Sequence, residues 1–192
     1  MVTDIKIRKA GREDISQILD IYSYYVTDTA ITFEYDVPDK EEFKRRFERI
    51  SNKYPYIVAE QNKRIIGYAY AGEFIGRKAY DWSAELTVYI DRNFHKLGTG
   101  RKLYDTIEDI LYKMGITNLY ACIAVPETED EYLTGNSLDF HKHMGFEKVG
   151  EFHNCGYKFN HWYNMVWVEK IIRLHSENQD SIVCFDRLNY KF

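Results

Sequence analysis

Residues 82–114 constrain the fold more than any other stretch of the chain. From Trp82 to Ile90, Ala84, Leu86, Val88 and Ile90 share one face while Ser83, Glu85, Thr87 and Tyr89 share the other, the period-two pattern of a strand. The segment His95-Lys96-Leu97-Gly98-Thr99-Gly100-Arg101-Lys102 follows and opens a helix. Leu103, Ile107, Ile110, Leu111 and Met114 form its apolar stripe, with Gly115 where a left-handed cap is expected. A long strand turning through Gly-x-Gly into an amphipathic helix is a weak signal by itself and takes its meaning from the order of elements around it.

The flanking segments extend this pattern. Ile5 and Ile7 alternate with polar neighbours in a short opening strand. From Asp14, the residues Ile15, Ile18, Leu19, Tyr22 and Val26 recur at helical spacing, and Pro38-Asp39 starts a second helix with Phe43, Phe47 and Ile50 on one face and basic residues on the other. Tyr56 to Glu60 and Ile65 to Ala71 read as a hairpin joined by Gln61-Asn62-Lys63-Arg64. Leu119 to Val125 is a further strand, Ser137 to Met144 a short helix stopped by Gly145, and two strands follow near 146–156 and 162–170. The order β-α-α-β-β-β-α-β-α-β-β predicts a mixed sheet with helices on both faces. No repeat or Pro/Gly/Ser linker interrupts it, so residues 1–172 read as one domain and 173–192 as a polar tail that docks or frays.

Composition excludes several classes. At 192 residues and 16% aromatic content the chain has the material for a core. Its net charge of −4 argues against a protein built to hold nucleic acid. No apolar run reaches the ~20 residues of a bilayer span, and Asp4 stands where a signal peptide needs a basic flank. Cys122, Cys155 and Cys184 are odd in number and widely spaced, with no CxxC pair, as expected of free thiols in the cytoplasm. His141 and His143 face different directions on a helix, and His153, His161 and His175 lack ligand spacing, so no metal site is expected.

The junction at residues 95–102 has the chemistry of an anion site. A helix start leaves backbone N–H groups unpaired at the positive end of the dipole. Gly98 and Gly100 permit close approach, and Lys96, Arg101 and Lys102 add charge. Leu103 occupies the position where a dinucleotide fingerprint needs its third glycine, and the Gly-Lys-Ser/Thr of a P-loop is absent.

At this segment the chain resembles the GCN5-related N-acetyltransferases, whose pyrophosphate loop reads Gln/Arg-x-x-Gly-x-Gly/Ala; here His95 takes the leading place. It is similar in particular to the phosphinothricin acetyltransferase branch through Thr32-Phe33-Glu34, Tyr56-Ile57-Val58-Ala59-Glu60, Ile66-Gly67-Tyr68-Ala69-Tyr70, the run from Arg77 to Glu85, the run from Ser137 to Phe146, and Gly156-Tyr157-Lys158 with Trp162. The resemblance spans about residues 5–170. It departs before the short helix, where Thr134 holds the family's usual Asn position, Asn136 precedes Ser137, and Glu127 to Glu131 make an acidic loop.

The resemblance implies an α/β fold with a mixed, mostly antiparallel sheet, and acetyl-CoA as cosubstrate. It implies that Val88, Tyr89, Ile90, His95, Lys96, Leu97, Gly98, Thr99, Gly100, Arg101, Asn136 and Ser137 bind that cosubstrate. It further implies a homodimer and a small-molecule amine acceptor lined by Phe33, Glu34, Arg77, Tyr80, Lys158 and Trp162, with Arg77 gripping a carboxylate. Amine acetylation needs a base, because an amine of pKa ~8–10 is protonated at pH 7, and a donor to the departing thiolate. It needs no covalent nucleophile, and no Gly-x-Ser-x-Gly elbow is present. Glu85 is the expected base; His141 is the expected donor, or a base instead, since imidazole titrates near neutrality. The acceptor is expected to resemble phosphinothricin, methionine sulfone or methionine sulfoximine. A peptide or protein N-terminus drawn by the acidic loop, or a CoA-binding sensor without turnover, remains as an alternative.

Overall fold

A computed structural model describes residues 4–192; the first three residues of the expected domain lie outside the described residues. Among the described residues seven strands form a single sheet in the order β1-β2-β3-β4-β5-β7-β6. They are β1 (Lys6–Lys9), β2 (Tyr56–Gln61), β3 (Arg64–Glu73), β4 (Ser83–Ile90), β5 (Asn118–Val125), β6 (Glu147–Lys158) and β7 (His161–Ile171). Four α-helices accompany them: α1 (Ile15–Asp28), α2 (Lys40–Ser51), α3 (Thr99–Met114) and α4 (Asn136–His143).

The period-two pattern of the central strands sends alternate side chains into two cores. On one face α1 and α2 bury Ile18, Val26, Phe43 and Phe47 against Tyr56, Val58 and Tyr68. On the other, α3 lays Leu103, Ile107, Ile110 and Leu111 on Ile57, Ala59, Ala69 and Leu86. Asp39 caps α2 by accepting the Glu42 N–H at 2.7 Å, and Gly115 ends α3 at φ 93°. Both hairpin turns are tighter than expected. Asn62-Lys63 and Phe159-Asn160 alone turn the chain, all four at positive φ, as in two-residue hairpin turns.

One pairing positions the site. Every neighbouring pair of strands is antiparallel except β4 and β5, which run parallel only from Ser83–Asn118 to Glu85–Tyr120. Past Glu85 the two strands part: β4 continues alongside β3, and β5 alongside β7. The main chain of β4 from Leu86 to Tyr89 therefore has no strand partner on its β5 side.

The segment after β7 lies against the domain. The Trp82 indole N–H donates to the Asp180 carbonyl at 2.7 Å, the Val183 N–H to Met114 at 2.8 Å, and the Phe185 N–H to Lys53 at 3.0 Å. Phe185 is buried in the α3-side core, and the Tyr190 hydroxyl donates to Asp109.

Candidate active site

The parting of β4 and β5 opens a cavity of about 330 Å3. Of the residues expected at the site, Phe33, Glu85, Val88, Tyr89, Ser137 and His141 line it. Glu85 is the last parallel rung of β4, half-buried and without a hydrogen-bond or ion-pair partner among the described residues. Burial lifts its carboxyl above the usual range, toward the value of a useful proton acceptor. It also lines a second cavity of about 470 Å3 on the β3 side, so its carboxylate stands where the two spaces meet.

His141, buried in α4, is not free. Its Nδ1 lies 2.7 Å from the Ser137 carbonyl, which can only accept, so Nδ1 carries a proton. Its Nε2 lies 2.6 Å from the Tyr104 hydroxyl of α3. Burial depresses the imidazole pKa, which favours a neutral ring whose Nε2 accepts from Tyr104. Tyr104 lines the same cavity, and sequence reasoning missed it. It occupies the apolar stripe of α3 one position after Leu103, and its one polar tip among aliphatic neighbours was the available signal. Burial raises the Tyr104 hydroxyl pKa strongly.

The start of α3 is arranged for an anion. Lys96 and Gly98 both have positive φ, at 62° and 76°. The first backbone hydrogen bond of the helix runs from Lys102 N–H to the Gly98 carbonyl, leaving the preceding amides without helical acceptors. The Thr99 hydroxyl is buried and has no partner among the described residues. A Cβ at Gly100 would stand 3.3 Å from the Phe140 ring, so a side chain there would crowd the approach. Arg101 is exposed and free to pair with a phosphate. The donors present therefore fit a diphosphate. Leu97 and Asn136 are exposed nearby. His95 turns back to the Tyr25 hydroxyl and the Ile90 carbonyl, both at 3.2 Å, and so ties the end of β4 to α1.

The expected acceptor residues disperse. Phe33 packs over Gly156, where any Cβ would collide with its ring. Glu34 accepts from Arg46 at 2.6 Å and lines a separate cavity of about 430 Å3. Arg77 and Tyr80 lie on the exposed β3–β4 connection and line none of these three cavities. Trp162 is exposed on the β6–β7 hairpin, packed on Tyr157 at 4.9 Å.

Lys158 requires a correction. Its Nζ donates to the carbonyls of Val26 at 2.7 Å and of Thr29 and Thr32 at 2.8 Å. All three N–H donors are thus spent on the end of α1 and the loop that carries Phe33, and none is left for an acceptor. The side chain is a buried clamp whose positive charge sits at the negative end of a helix.

A split mixed sheet, an unpaired carboxylate at the split and an anion-ready helix start make a site for a phosphate-bearing cosubstrate beside a proton acceptor. A family model described as Acetyltransferase (GNAT) domain matches residues 7–167, and the chain belongs to that family. It is 29% identical over 161 residues to a phosphinothricin N-acetyltransferase of Streptomyces viridochromogenes, covering 84% of each chain. It is 26% identical to an L-methionine sulfoximine/L-methionine sulfone acetyltransferase of Salmonella typhimurium, covering 88% of this chain and 96% of that one. The crystal structure of a phosphinothricin acetyltransferase from Sinorhizobium meliloti in complex with AcCoA superposes with a TM-score of 0.79 at 27% identity, covering 87% of this chain and 88% of the other.

Proposed function

We propose that this enzyme moves an acetyl group from acetyl-CoA directly to the amine of a small amino-acid-like acceptor. The observation that carries the reading is Glu85, an unpaired, partly desolvated carboxylate at the boundary of two cavities. One cavity adjoins α3 and α4 and suits the thioester; the other suits the acceptor. The relatives named for phosphinothricin, methionine sulfoximine and methionine sulfone support an acceptor of that size and polarity.

The donor set at the start of α3 would hold the diphosphate, with Thr99 and Arg101 adding a hydroxyl and a charge to the amides of 98–101. Val88 and Tyr89 present unpaired β4 backbone to the pantetheine arm. The cosubstrate supplies an already activated acyl group, so the chain supplies proton transfer and positioning. Glu85 takes the amine proton, directly or through water. Backbone N–H groups of β4 beyond Glu85 are the donors at hand for the developing oxyanion. Tyr104 and His141 face the departing sulfur. His141 stays neutral: its Nδ1–H holds the Ser137 carbonyl and its Nε2 accepts from Tyr104, which fixes the phenol in the cavity.

The peptide-acceptor reading gains no support from the acidic loop. Asp130 accepts from the N–H groups of Tyr132 and Leu133 and from the Tyr163 hydroxyl, and Glu129 accepts from Gly135. Two of the four carboxylates in the run from Glu127 to Glu131 are thus spent on ordering their own loop. The homodimer belongs to the same proposal, supported by Val149, Phe152 and Trp162, each at least half exposed along β6 and its hairpin. Thiol release measured with acetyl-CoA and a panel of amino-acid analogues and short peptides tests the function. Turnover confined to the small acceptors is expected; turnover of peptides alone, or of no amine despite CoA binding, would refute it.

A further inference from the structure

The β3-side cavity of about 470 Å3 holds an unassigned cation. Arg49 of α2 lines it together with Lys53, Tyr54, Glu73 and Glu85. The neighbouring charges of α2 are already matched. Arg46 donates to Glu34 at 2.6 Å and to Glu42 at 2.9 Å, and Arg45 donates to Glu42 at 2.7 Å. Lys53 donates to Asp81 at 3.0 Å. Arg49 alone of the cations lining this cavity has no acceptor among the described residues.

A second observation points to a ligand in the same place. Tyr54 lines the cavity at 3% exposure, and its hydroxyl makes no hydrogen bond of ordinary geometry among the described residues, the Lys53 ammonium being the charge beside it. A buried hydroxyl left unpaired is destabilising, and each such group in a folded protein calls for an account. A ligand oxygen in the cavity supplies one.

The charges also match a zwitterion. The exposed Arg49 brings one guanidinium without an acceptor to the cavity, which the carboxylates of Glu85 and the exposed Glu73 also line. Guanidinium is the side chain best shaped for bidentate capture of a carboxylate, while carboxylates attract the ammonium that must be deprotonated. Arg77, the arginine expected from sequence to grip the acceptor, lies outside this cavity.

We propose that Arg49, with the Tyr54 hydroxyl, forms the subsite for the acceptor's carboxylate, so that the enzyme selects amines carrying an anionic group a few bonds away. The assignment rests on the acetyl-transfer reading above for its purpose, but its test by binding does not. The probes are L-methionine sulfone and its α-carboxamide, titrated calorimetrically into the CoA-loaded protein and its Arg49→Ala, Arg49→Lys and Arg77→Ala variants. Thiol release is followed in parallel.

The wild-type protein is expected to bind the acid about 10- to 100-fold tighter than the amide, the range of one charge-assisted contact. Arg49→Ala should abolish that preference while leaving amide binding and the KM for acetyl-CoA in place, and Arg49→Lys should restore part of it. Thermal melting of the variants distinguishes loss of the subsite from loss of the fold. No preference in the wild-type protein, or a preference removed by Arg77→Ala and kept by Arg49→Ala, would overturn the assignment. Selective binding without thiol release would uphold the subsite and refute the acetyl-transfer reading.

Discussion

Glu85 shows how one position acquires a chemical task from its surroundings. Its carboxylate has no partner, and partial burial raises its pKa because ionisation is penalised away from water. A base works ionised, so activity should fall as pH drops through a value above that of an ordinary glutamate (about 4.3). Glu85→Gln should lower kcat by about 100-fold or more, erase that acidic limb and leave the KM for acetyl-CoA near its original value. A full pH profile of kcat/KM for both proteins checks this, and a retained limb would assign the base elsewhere. The alternation of β4 already placed Glu85 on its face, and the 3.6-residue repeat placed His141 on a short helix. Sequence could not show that His141 is occupied on both nitrogens, because one partner, Tyr104, arrives from α3, 37 residues away.

At the scale of elements, Lys158 links pieces that sequence keeps far apart. α1 ends with exposed carbonyls that need donors, and the loop after it must hold Phe33 at the cavity. The ammonium at the end of β6 answers both needs. Lys158→Met should leave three carbonyls unmatched and cost about 3 kcal/mol, or roughly 10 °C in Tm for a chain of this size. Lys158→Arg cannot reproduce three donors from one atom and should recover little. If Tm falls while the KM for the acceptor stays put, the clamp serves stability alone; a rise in that KM without a change in KM for acetyl-CoA marks the loop as its purpose. The helix and strand periods were legible throughout, as was the cap at Gly115. The two-residue turns were read too long because Gln61 and Arg64, polar and therefore loop-like, pair with each other as the last rung of the β2–β3 hairpin. Arg49 was hidden among Lys44, Arg45 and Arg46 on what reads as a solvated basic face, and only the ion pairs that occupy Arg45 and Arg46 in the folded chain set it apart from them.

Across the whole molecule, the sheet carries two cores, one on each side, and concentrates its irregularity in one place. Three parallel rungs join β4 to β5 and then stop. The resemblance to acetyltransferases indicated a mixed sheet, and the family match accords with it, but the extent of the pairing is a tertiary quantity with no local code. The dispersal of Arg77, Tyr80, Lys158 and Trp162 has the same origin: only the family pattern joins these residues, and the fold places the first two on the β3–β4 connection and the last two at the β6–β7 hairpin. The segment beyond residue 172, polar in sequence, is held by hydrogen bonds to Trp82, Met114 and Lys53 through backbone groups that composition does not register.

The interrupted ladder makes this sheet a garment with one open seam. A pantetheine arm laid along β4 would act as a missing strand, giving those amides of residues 86–89 that point away from β3 the partners they lack and joining the two halves into one stiffer body. Deuterium uptake at those amides should therefore slow when coenzyme A is added, with the solvated β2–β3 turn as an unaffected reference. Uptake that is the same with and without the nucleotide would mean that the seam stays open when the enzyme is loaded, and that its rigidity comes from elsewhere.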